Sequence, residues 1–131
     1  MEKNKTLMRT TKRHQFELEN KAWERSLEFF NQENALLKYR LSEIVDYNEE
    51  EDLLSMAEYF QNEFISKDEQ VNKLIKVIRQ FSDKLYEIQS EEKLSGKMIR
   101  KQDKLRNEIL EFEKNFLQLS MEFNARMLKT V

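Results

Sequence analysis

The 131-residue sequence contains no cysteine, no proline and a single glycine, Gly96, and its one histidine is His14. Without cysteine there is no disulfide framework, no thiolate nucleophile and no Cys-ligated zinc. That composition fits a reducing compartment, and a cytoplasmic location is expected. The near absence of Gly and Pro leaves little to interrupt a helix and removes the usual makers of the tight turns a β-sheet needs. One glycine also excludes a Gly-rich phosphate-binding loop. Apolar runs stop at two or three residues, so no stretch reads as a membrane span. The basic N-terminal residues are not followed by the apolar run of a signal peptide.

What the chain does have is charge, aromatic mass and period. Charged residues make up 37% of it, yet it carries nine Phe, and mean hydropathy is -0.85. A disordered chain would have few aromatics and no apolar repeat, so a folded domain with a polar surface is expected, and 131 residues make one domain.

The strongest pattern runs from Leu53 to Ile88. Apolar residues fall at Leu53, Ala57, Phe60, Phe64, Val71, Leu74, Ile78, Phe81, Leu85 and Ile88, in steps of four and three that only Lys67 interrupts. A sustained 3.5-residue repeat marks a helix that supercoils with neighbours. An earlier stripe, Phe16, Asn20, Trp23, Leu27, Phe30, Asn34, Leu37, Leu41 and Ile44, predicts a helix over about 14–47. A later one, Met98, Gln102, Leu105, Ile109, Phe112, Phe116, Leu119 and Phe123, predicts a third over about 97–128. The phase slips between stripes place corners near 46–49, with Asn48 as N-cap to Glu51, and near Gly96 as a helix stop. The central helix is then expected over 49–93, continuous through the second capping-box match at Ser66–Glu69, where the repeat keeps phase. Residues 1–13 have no matching period and read as a flexible basic arm.

Short corners make neighbouring helices antiparallel. The expected fold is all-α: an antiparallel, up-down-up, three-helix coiled-coil-like bundle, with assembly into a larger helical oligomer as the next level. Bulky Phe at many core positions suits three helices better than a two-stranded coil. Asn20 and Asn34 fall at a positions, where Asn can fix register. Folding about the corners brings Asn34, Glu63, Lys67 and Asn124 to one level, with the Lys67 stem lying along the core and its ammonium in water.

The chemistry of catalysis is missing. A lone His14 cannot form the Glu-x-x-His pairs of a di-iron bundle, and no Ser-His-Asp or Cys-His set is available. An enzyme is not expected, and neither is a cofactor or a metal site.

Charge and the outer faces point to binding instead. Residues 15–64 hold 13 acidic against 4 basic residues, while 65–131 hold 14 basic against 11 acidic. Up-down-up folding gathers the basic arm with Lys97, Arg100, Lys101, Lys104 and Arg106 at one end. Glu43, Asp46 and Glu49–Asp52 gather at the other. The anion-binding candidates are Lys12, Arg13, Lys97, Arg100, Lys101 and Lys104, which could hold an acidic protein, a membrane surface or nucleic acid. Nucleic acid is the weaker candidate, because no aromatic lies among these cations to stack bases.

A second signal is apolar. Ala22, Phe29 and Leu36 recur at c positions, roughly 130° from the core centre on a ~100°-per-residue wheel, and Leu110 and Leu117 recur at b positions equally far round. A single three-helix core leaves them wet. Phe29, Leu36, Leu110 and Leu117 are therefore the partner-contact candidates. The leading expectation is a non-enzymatic interaction or scaffold protein that binds itself or another helical protein. The alternative is a binder of an anionic partner through the basic end.

Overall fold

A computed structural model of the chain describes the backbone of residues 2–47, 50–88 and 94–127, and side chains from residue 12 onward within those ranges. It contains α1 (Glu2–Tyr47), α2 (Glu51–Glu87) and α3 (Gly96–Arg126) in one all-helical bundle. Among the described residues no helix is long and apolar enough to cross a membrane.

The three apolar stripes meet as the repeat dictates. Leu27, Leu37, Leu41 and Ile44 of α1 pack with Phe60, Phe64, Val71 and Ile78 of α2 and with Ile109, Phe112, Phe116 and Phe123 of α3. At the other end Phe16, Phe81, Leu85 and Leu105 form a smaller cluster. Trp23 packs against both clusters. Rings organise the larger one. Phe123 meets Phe60 and Phe64 edge-on at 5.4 and 5.3 Å, and Phe30 meets Phe112 and Phe116 at 5.7 and 5.1 Å. α1 and α2 form the most closely packed pair, and α3 stands further from both.

The helix ends differ from the sequence reading. α1 begins at Glu2, inside the basic segment. With no Gly or Pro there, Lys, Arg, Leu and Met are residues that let the helix extend. α2 starts at Glu51 after Glu50, whose backbone is extended and whose side chain makes no cap bond. The expected N-cap Asn48 lies outside the described residues. Through Ser66–Glu69 α2 is unbroken, and Gln70 donates back to the Ser66 hydroxyl at 3.1 Å. It stops at a C-cap at Ile88, earlier than the expected end at 93. Gly96 is not a helix stop but the first residue of α3. Ser95 is the N-cap, its hydroxyl accepting from the Met98 N–H at 3.3 Å. A Ser three residues ahead of a free helical N–H outweighs the glycine, whose φ is not positive.

Candidate interaction surfaces

The buried polar residues fix how the helices are staggered. Asn20, Asn34, Gln102 and Lys67 are all buried. Asn34 donates through Nδ2 to the Phe64 carbonyl and to Asp68 Oδ1, both at 2.7 Å, and Lys38 donates to the other Asp68 oxygen. This ties α1 to α2. At the other end Gln102 Nε2 donates to Asn20 Oδ1 at 2.8 Å and to Glu19 Oε1 at 2.9 Å. Asn20 donates to Ser82 at 3.2 Å, so this second layer joins all three helices. Arg106 closes it, donating to both Glu19 oxygens at 2.9 and 2.7 Å and to Asp103 at 2.7 Å.

The layer expected at Asn34 is thus built differently. Asn34 does reach residue 64, but its carboxylate partner is Asp68, and Asn124 is exposed because Phe123 takes the inward position beside it. Lys67 is buried without an ion pair among the described residues, as a stem lying along the core would be. Sequence reading identified Asn20 and Gln102 as inward-facing. It missed their partners, since Glu19, Asp68 and Arg106 look like surface charges until the stagger is known.

Burial by itself pushes the Glu19 carboxyl up, but hydrogen bonds from Arg106 and Gln102 outweigh it and hold the group below its ordinary value. The same bonds from Glu19 and Asp103 push Arg106 higher. A carboxyl depressed in the folded state contributes stability that is complete above its unfolded value. That stability is lost as pH falls through the folded value. Glu19→Gln is expected to cost about 1 kcal/mol near neutrality, allowing for the partial exposure of the pair. In melts from about pH 7 to about pH 3, the gap between variant and wild type should close with acid. A gap that stays constant would remove Glu19 ionisation from the account.

The basic end is assembled, but not all of its cations remain available. Arg13 donates to the Ile88 carbonyl at the end of α2 and lies 3.4 Å from Glu17, so it caps a helix C-terminus. Arg106 is held by Glu19 and Asp103. Lys12, Lys97, Arg100, Lys101 and Lys104 are exposed. Of these, Lys104 reaches Glu108 only at 4.0 Å, and Lys101 lies 5.5 Å from the Phe81 ring centre. Arg100, Lys101 and Lys104 border an open groove of about 1040 Å³ between α2 and α3. Among the described residues no group of three or more His, Asp or Glu could hold a metal.

The apolar candidates are exposed: Phe29 56%, Leu36 51%, Leu110 57% and Leu117 55%. They also share one side of the bundle. Glu19 meets Gln102 and Arg106, and Phe30 lies between Phe112 and Phe116, so α1 and α3 run parallel with a fixed stagger. Ala22, Phe29 and Leu36 follow Glu19, Ser26 and Glu33 by one helical turn, and Leu110 and Leu117 follow Arg106 and Glu113 likewise. Both rows therefore border the α1–α3 seam from its solvent side. The stagger sets Phe29 level with Lys114 and Leu117 level with Gln32, so the rows interleave. Leu18, Tyr39 and Met121, also exposed, were missed in the sequence. Leu18 and Tyr39 flank Ala22, Phe29 and Leu36, which recur every seven residues on the back of α1, with Arg25 and Gln32 at the positions between.

Comparison with known proteins adds no relative: no family model, no curated protein and no solved structure matches the chain.

Proposed function

We propose that this protein is a cytoplasmic, non-enzymatic helical interaction protein that assembles with a second copy of itself through the α1–α3 face. The observation that carries this is the interleaved row of Phe29, Leu36, Leu110 and Leu117, more than half exposed in each case. Apolar residues that recur every seven positions on the outside of two neighbouring helices keep one line of contact along which a further helix can pack. The face spans about five helical turns and two helices, a footprint on the order of 500–800 Å² per protomer, the scale of a standard interface. Its surroundings favour self-association over a strongly charged partner. Arg25, Arg40 and Lys114 border it together with Glu33 and Glu113, a mixture that a second copy can complement.

Light scattering after gel filtration tests the reading. The expected mass is a multiple of 16.0 kDa that survives moderate salt, because apolar burial is not screened. Phe29→Glu with Leu36→Glu is expected to give the monomer with helicity unchanged. A wild-type monomer, or a double variant of unaltered mass, would refute it.

A further inference from the structure

The groove between α2 and α3 is a separate surface, and its chemistry is different. Leu74 and Val77 of α2 with Leu105 and Phe112 of α3 line it. Leu74 belongs to the inward stripe of α2 yet is only half-buried, so the third helix does not close over it. The rim is ordered along α3. Arg100, Lys101 and Lys104 come first, with Asp103 among them, then Glu108 and Glu111, and Lys73 of α2 lines the same groove.

We infer that this groove is a docking site for an amphipathic helix of another protein, laid parallel to α3. Two features select a helix. The lining runs from residue 100 to residue 115 on α3, about 22 Å at ~1.5 Å per residue, which is four turns. The groove is also open along that length, so an alkyl chain lying in it would stay wet on one side, whereas a helix brings its own polar outer face. The charge order selects the direction. A partner helix with Asp or Glu in its first turn and Lys in its last, the arrangement its own dipole favours, meets Arg100, Lys101 and Lys104 at one end. At the other end it meets Glu108 and Glu111, with Lys73 across the groove. The reversed helix would set its basic last turn against Arg100, Lys101 and Lys104.

The test uses the full chain, isotope-labelled for NMR, and two fluorescent probe peptides of about sixteen residues. Both carry leucines at three- and four-residue spacing. One has an acidic first turn and a basic last turn, and the second has these charges exchanged. The first is expected to bind in the micromolar range, with shifts confined to residues 70–77 and 100–115, and the second at least about tenfold more weakly. Arg100→Gln with Lys101→Gln and Lys104→Gln, all exposed positions, should weaken the first peptide about tenfold while helicity is kept. Equal binding of the two peptides overturns the inference, as does failure of both to bind. Shifts that map instead to Phe29 and Leu110 overturn it too. Oleate that shifts residues 70–77 and 100–115 when neither peptide does would give the groove to an anionic amphiphile, and the docking site would fall.

Discussion

Phe60→Ala is expected to lower the unfolding free energy by about 3–5 kcal/mol. Phe60 is fully buried on the central helix, its ring 5.4 Å from Phe123 and 6.2 Å from Phe64, with Tyr59 at 5.2 Å. Alanine would leave a cavity walled by rings that cannot all move inward, because Phe64 and Phe123 also hold each other at 5.3 Å. The loss therefore includes both the transfer of the phenyl group and the void. A domain of this size is stable by about 5–15 kcal/mol, so the midpoint of thermal unfolding should fall by roughly 10–20 °C. Tyr86, 80% exposed, is the contrast: Tyr86→Ala should change stability by less than about 0.5 kcal/mol. A Phe60→Ala loss below about 1 kcal/mol would mean that the aromatic cluster is not packed as described.

Asn20 and Gln102 are expected to behave oppositely when changed singly and together. Gln102→Leu leaves Asn20 Oδ1 buried without its donor, at a cost of about 1–3 kcal/mol. Changing both to Leu removes the pair together with Gln102 Oε1, a buried atom that has no partner as it stands. Glu19 keeps two donors from Arg106. The double variant should then equal or exceed wild-type stability, by up to about 2 kcal/mol. What it should lose is specificity. With an apolar layer in place of the amide pair, the stagger of α3 rests on Arg106 and Glu19 as its one remaining polar tie to α1 among the described residues, and gel filtration should show additional species. A double variant less stable than Gln102→Leu alone would show that the pair stabilises the fold outright.

These two predictions mark what the sequence made legible. The position of Phe60 is set by spacing alone, because an unbroken repeat assigns every inward residue of a helix that has no Gly or Pro. The partners of Asn20 and Asn34 depend on stagger, which the repeat leaves open by whole heptads. The capping residues differ from the sequence reading for a local reason. A capping-box match at Asn48 and the lone glycine were the more conspicuous signals, but Glu50 begins α2 without a side-chain bond and Ser95 caps α3. Of the outer faces, Phe29, Leu36, Leu110 and Leu117 were readable because apolar residues repeat where a closed bundle has no use for them. The α2–α3 groove was not, since Leu74 and Leu105 are periodic core residues like the others. Only the wider placement of α3 leaves a gap there.

Trp23 gives the bundle an optical consequence. It is the chain's single tryptophan, it packs against both core clusters, and the Arg106 guanidinium lies 5.9 Å from its ring centre. One indole thus sits where the two halves of the core join and where α3 is fastened to α1. Its emission colour is a native signal for that junction, without any attached dye.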